Sequence, residues 1–198
     1  MGITKRAFGK SMEGREVFLY EITNKNQVTL TVSDFGATWV HMLVPDKTGG
    51  KRDVVLGYDS AEGYHTNPNH FGAVIGRNGN RIGKAKFTID GKDYQLAVND
   101  NQNNLHSGPN WYRTRVWDVK EVNQEKNSVT FEIFSPDGDQ GFPGNFTGSV
   151  TYELTEENQV VLHYQGSADA DTIVNMTNHS YFNLAGQEAG AEAMLNHV

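Results

Sequence analysis

The sequence predicts an all-β protein, a large antiparallel β-sandwich, from three observations. Short runs rich in β-branched and aromatic residues recur along the chain, turn dipeptides of defined chemistry separate them, and almost nothing carries a helical period. Strands that alternate apolar and polar residues bury one face only, so they require a second layer to cover it.

The predicted strands are residues 16–23, 28–33, 37–44, 53–56, 71–75, 85–90, 114–122, 128–134, 145–154, 159–165 and 172–177. Alternation is cleanest in the ninth, where Phe146, Val150, Tyr152 and Leu154 oppose Thr147, Ser149, Thr151 and Glu153. Turn signals lie at 46–50, at Asp90-Gly91-Lys92, at 123–127 and at 156–158. Asp-Gly between alternating runs is a hairpin signal because both residues tolerate positive φ. Two long irregular stretches, 58–70 and 97–113, are expected to be functional or mobile loops. The last stretch, 186–198, is small and polar and is read as the opening of a further strand rather than a short helix. The length suits one domain over residues 1–198 with a substantial core.

Composition narrows the function classes. The formal charge is −7, and no stretch gathers Lys or Arg with aromatics, so nucleic acid is excluded as a partner. With no cysteine there is neither a disulfide nor a zinc-thiolate site. The first ten residues have no apolar run behind their charges, and no stretch is long and apolar enough to cross a bilayer. Arg6 stands where a myristoylation signal following Gly2 needs Ser or Thr. These features together predict a cytoplasmic protein without a membrane partner.

Four stretches carry chemistry. In Asn175-Met176-Thr177-Asn178-His179-Ser180-Tyr181-Phe182-Asn183-Leu184, an extended backbone would put Asn175, Thr177, His179 and Tyr181 on one face. The other face would hold Val174, Met176, Phe182 and Leu184 and would bury. In Asn78-Gly79-Asn80-Arg81-Ile82-Gly83, the glycines permit turns that set Asn80 and Arg81 on a rim, able to hold a polyol. No Gly-Lys-Ser/Thr follows, which argues against a phosphate loop. Leu105-His106-Ser107-Gly108-Pro109-Asn110-Trp111 places a histidine near an aromatic ring, a pairing frequent in sugar sites. Ser135 to Gly144 has the look of an acidic cation loop, but lacks the flanking helices and terminal Glu of an EF-hand, and is read as a structured connection. The seven histidines show no HxH or HxxxH spacing, so no metal site is expected, and no Gly-x-Ser-x-Gly elbow marks a hydrolase.

Together with Asp53-Val54-Val55-Leu56-Gly57-Tyr58, Gly76-Arg77 and Asp137-Gly138-Asp139-Gln140-Gly141-Phe142-Pro143-Gly144, these stretches resemble the aldose 1-epimerase, or galactose mutarotase, family in order and spacing. The resemblance implies a mutarotase-like supersandwich, incomplete in this chain, with an open sugar cleft and no cofactor. It implies that His179 is the general acid that protonates the pyranose ring oxygen and that His106 is its partner histidine. By the same resemblance Asn80 and Arg81 bind hydroxyls and Tyr181 lines the cleft. The substrate would be a monosaccharide, galactose or glucose. Ser107 departs from the family pattern, which has a glycine-like residue there. The family's general-base carboxylate matches no Glu of this chain, Glu188 being out of motif order. The chain is therefore expected to be an N-terminal portion that works with a C-terminal one, as a longer product, a second chain or a homo-oligomer. The alternative is a non-catalytic carbohydrate-binding sandwich.

Overall fold

The computed structural model describes residues 2–197. Its first layer is an antiparallel meander in chain order, β1 (Gly2–Lys10), β2 (Glu16–Thr23), β3 (Thr29–Ser33), β4 (Thr38–Pro45) and β5 (Lys51–Asp53). The second layer is a four-stranded meander, β11 (Asp118–Asn123), β12 (Ser128–Ser135), β13 (Phe146–Leu154) and β14 (Val160–Ala168). Between them in sequence lie α1 (Ala61–Thr66), β6 (Val74–Ile75), β7 (Arg81–Ile82), the hairpin β8 (Lys86–Ile89) and β9 (Lys92–Gln95), and β10 (Asn104–Leu105). The last strand, β15 (Thr177–Asn178), pairs with β6, and β10 pairs with β7.

Period-two alternation explains how the layers meet. Tyr20, Ile22, Leu30, Val32 and Trp39 from the first sheet pack against Val129, Phe131, Ile133, Val150, Tyr152 and Leu154 from the second. Phe131 sits between the rings of Tyr20 and Tyr152, at 5.7 and 6.3 Å. Burying such a side chain is worth roughly 1.5–3 kcal/mol. The Tyr152 hydroxyl, carried into this core, donates to the Ala37 carbonyl at 2.7 Å and so avoids an unpaired buried group. Val17, Leu19 and Val40 point the other way, where Phe8, Ala61 and Tyr64 cover them.

Several expectations need correction. Residues 2–10 form a strand that was not expected, since Arg6, Lys5 and Lys10 mask the alternation of an edge strand. Helix α1 lies inside the first long loop and is too short to show a period. Of expected strand 71–75 only Val74–Ile75 is extended, and of 172–177 only Thr177, which with Asn178 forms β15, because these two short strands pair with one another alone. The stretch 186–196 is not an opening strand but two 3₁₀ turns, Gln187–Ala189 and Ala191–Asn196. Gly186 and Gly190 turn the backbone there, and Asn183 Nδ2 donates to the Gly190 carbonyl at 3.2 Å. The Asp90-Gly91 turn does join a hairpin, both residues at positive φ, 51° and 75°.

The sheet interface predicts an asymmetric mutational response. Phe131→Ala should cost about 3–5 kcal/mol in denaturant unfolding, whereas Phe134→Ala on the same strand, 61% exposed, should fall within about 0.5 kcal/mol of wild type. Equal losses at both positions would contradict a core between these two sheets.

Candidate functional site

The short strands β7, β10 and β15 and the turns beside them present an open cleft of about 690 Å³, lined among others by His70, Asn80, Arg81, His106, His179 and Tyr181. Asn175, Thr177, His179 and Tyr181 all face it, as the alternation in their segment requires. The opposite face is only partly covered: Met176 packs on the core and Phe182 meets Trp39 edge-on at 5.5 Å, while Val174 and Leu184 are exposed.

Each element of the cleft is pinned by the backbone. His179 donates its N–H to the Ala73 carbonyl at 2.9 Å and accepts from Gly72 N–H at 3.2 Å. Asn178 turns inward, donating to the Gly72 carbonyl and to the Tyr152 hydroxyl, so its neighbour His179 turns outward. Gly72, at φ 65°, can lie here because a Cβ would run into the Trp39 carbonyl oxygen.

His106 is fixed more tightly. Its Nδ1 accepts the Asn80 N–H at 2.9 Å, so the neutral ring carries its proton on Nε2 and presents a donor. Ser107, fully buried at φ 56°, accepts the Asn78 N–H through Oγ at 2.9 Å and donates back to the Asn78 carbonyl at 3.1 Å. The hydroxyl thus clamps the His106 loop to the segment that leads into Asn80 and β7, offsetting the strain of a side chain in the left-handed region. Arg81 is aimed by Asp100, whose Oδ2 lies 2.6 Å from Nε, and Arg81 Nη1 donates to Asn80 Oδ1 at 3.3 Å.

The structure brings all five expected residues, Asn80, Arg81, His106, His179 and Tyr181, to one cleft. It adds one whose isolated position in the sequence gave no signal. His70 lies 5.0 Å from His106 and 5.4 Å from His179 between ring centroids, and those two are 5.2 Å apart. Burial pushes His106 down to about 4, helped by the nearby His179 and Arg81. Burial also pushes His70 down to about 4, with Arg113, His106 and His179 adding repulsion. Asp100, which only orients Arg81, was likewise invisible in the sequence.

The acidic loop is a structured connection with its carboxylates engaged internally. Asp137 accepts the Gly144 N–H at 2.6 Å, and Asp139 takes Arg115 at 2.7 Å and the Ser135 hydroxyl at 2.6 Å. Burial raises Asp139, but the bonds from Arg115 and Ser135 outweigh it and hold the carboxyl below its ordinary value. A larger hollow, about 780 Å³, opens on the outer face of the first sheet. Along its wall His41 Nδ1 lies 2.6 Å from Asp53 and Arg6 pairs with Glu21 at 2.8 Å, and none of the five expected site residues lines it.

Comparison with known proteins gives a consistent picture. A family model described as aldose 1-epimerase matches residues 19–197. Galactose mutarotase of Bos taurus is 39% identical over 187 residues, 94% of this chain and 54% of the relative. Aldose 1-epimerase of Escherichia coli is 38% identical over 177 residues, 89% of this chain and 51% of the relative. Among solved structures, galactose 1-epimerase from Lactobacillus acidophilus superposes with TM-score 0.82 at 27% identity, over 92% of this chain and 53% of that one. An aldose epimerase homologue from C. elegans gives TM-score 0.79 at 34% identity, over 84% and 50%. The chain spans about half the length of the curated relatives it matches.

The site geometry predicts the ionisation of its histidines. Both folded values lie below the unfolded value of about 6.5, so the unfolded chain takes up protons first as pH falls. The stability these rings contribute is complete above about 6.5 and is lost as pH falls toward about 4. Imidazole ¹⁵N spectra should show His106 as the neutral Nε2–H tautomer at pH 7, titrating near 4. A midpoint near 6.5, or the opposite tautomer, would contradict the assignment.

Proposed function

The chain belongs to the aldose 1-epimerase family, and from that premise we propose that it carries the proton-donating and hydroxyl-binding half of a site that interconverts the anomers of a hexose such as galactose or glucose. The observation that carries this reading is the convergence of His106, His179, Asn80, Arg81 and Tyr181 on one open cleft.

Ring opening requires a proton delivered to the pyranose ring oxygen and another removed from the C1 hydroxyl. The bond between C1 and the ring oxygen then breaks to give the aldehyde, rotation about C1–C2 exposes its other face, and reclosure reverses the two transfers. His179 acts as the general acid, a role suited to imidazole, whose ordinary pKa lies near neutrality. His106 donates from Nε2 to an oxygen beside the reacting centre and stays neutral, supporting charge developing on that oxygen without competing for the transferred proton. Arg81, held by Asp100, and Asn80 grip hydroxyls away from the reaction and fix the ring against the acid. The tilted contact between His179 and Tyr181, 5.2 Å between centroids, limits how far the acid can swing.

The proton acceptor is assigned to a carboxylate from the half of the family's length that this chain does not span. A second reading is favoured by one specific observation: among the described residues the cleft lining holds no Asp or Glu. By itself the chain would then bind sugar without turning it over.

Two measurements test the proposal. Titration with D-galactose should shift the His106 and His179 imidazole signals saturably, and Arg81→Met should abolish the shifts; absence of saturable change in wild type sinks the sugar site. Joined to the second half of the Escherichia coli relative, the chain should accelerate mutarotation of α-D-galactose in polarimetry. His179→Gln should then lower that rate roughly 10²–10⁴-fold, and an unchanged rate would remove His179 from the acid role.

A further inference from the structure

His70 is the one imidazole of the cleft that the proposed reaction leaves unused, and its surroundings are built rather than incidental. The turn that carries it is closed by Asn67, whose side chain accepts the Phe71 N–H at 2.9 Å and donates to the Phe71 carbonyl at 3.1 Å. The His70 N–H itself bonds the Asn67 carbonyl at 3.0 Å, and its carbonyl accepts the Ala73 N–H at 3.1 Å. Beneath the turn, Arg113 donates to the Thr66 carbonyl at 3.0 Å and lays its guanidinium 4.4 Å from the Trp111 ring centroid. The Trp111 ring in turn meets His70 edge-on at 5.8 Å. The backbone at His70 sits at φ 56°, a conformation a side chain adopts at a cost, which the closed turn sustains.

The ring held this way has two different nitrogens. Nδ1 is buried without a hydrogen-bond partner among the described residues, while the residue as a whole is half-buried and lines the cleft. Nε2 is therefore the nitrogen that reaches the cleft, and it too lacks a protein partner among the described residues. It stands beside His106 and His179 at the third corner of a triangle about 5 Å on each side. Neighbouring hydroxyls on a pyranose lie roughly 3 Å apart, so groups at these corners can address adjacent oxygens of one ring. A phenyl ring would fill the same space against Trp111, but it would offer no polar atom to the cleft.

On the reading that the cleft takes a hexose, we infer that His70 is a sugar-binding and specificity-determining residue. It holds through Nε2 one hydroxyl next to the sugar oxygens engaged by His106 and His179. A site that spends a fixed polar group on one hydroxyl discriminates against the sugar that lacks it, because the group is then left unpaired. His70 therefore makes the protein selective for the presence of one hydroxyl and leaves the others to Arg81 and Asn80.

The test is a cycle between side chain and ligand. Dissociation constants for D-galactose and a panel of monodeoxygalactoses would be measured by calorimetry on wild type, His70→Phe and His70→Gln. One deoxy sugar should bind wild type roughly three- to tenfold more weakly than galactose, and that penalty should vanish in His70→Phe. His70→Gln, which keeps a hydrogen-bonding head and guards against misfolding of the phenyl variant, should retain part of it. Identical deoxy-sugar profiles in wild type and both variants would overturn the role of His70 and leave the sugar cleft standing. If wild type binds none of these sugars, the cleft reading falls and this assignment with it.

Discussion

A single buried guanidinium holds the site together. Arg77 is fully enclosed and among the described residues has no carboxylate bonded to it; its charge is satisfied by oxygens from three distant segments. Nε donates to Ser135 Oγ at 3.1 Å, one terminal nitrogen to the Pro143 carbonyl at 2.8 Å and to Thr172 Oγ1 at 3.1 Å. The other reaches the carbonyls of Ser135, Pro136 and Gly144 at 2.9, 3.0 and 2.9 Å. Burying a charge is costly unless every donor is used, and a planar fork with five N–H groups is the side chain that can use them all. Its two flanking rings, Phe142 and Phe146, keep water from competing.

From Arg77 the order propagates to the cleft through the backbone. The Arg77 carbonyl accepts the Asn175 N–H at 2.8 Å, and Gly79 N–H donates to the Asn175 carbonyl at 2.7 Å, which ties the connection leading to Asn80 and Arg81 to the segment leading to His179. Ser107 then hooks the His106 loop onto Asn78, the next residue along. Three imidazoles held this close and partly desolvated cannot all carry charge, so His70 and His106 remain neutral hydrogen-bonding groups around neutrality. Two neutral imidazoles beside the Arg81 guanidinium give the cleft several directed hydrogen-bonding groups, the kind of lining a polyol can use.

Much of this was legible in the sequence, for identifiable reasons. The sandwich followed from alternation such as that of Phe146 to Leu154, since a half-buried strand imposes period two on its own residues. The face shared by Asn175, Thr177, His179 and Tyr181 was readable for the same reason. What escaped were features set by tertiary contact. Arg77 lies beside Asn80 and Arg81 in one motif, yet nothing local separates a buried Arg from a surface one when its partners lie 58 to 95 residues away. His70 sits in a polar loop without periodicity, and only the Asn67 turn and Arg113 carry it into the cleft. Ser107 read as a mild departure from a glycine-like position, because the mutual bonds with Asn78 that give it a purpose cross 29 residues.

Arg77 orders a cleft it does not touch, and the most direct measurement of that is the galactose affinity of Arg77→Lys. Lysine keeps the charge but cannot fork among six oxygens, so the variant should keep the far-ultraviolet spectrum of the sandwich while binding galactose markedly more weakly, with faster amide exchange across residues 135–144. An Arg77→Lys protein that binds galactose as tightly as wild type would contradict it.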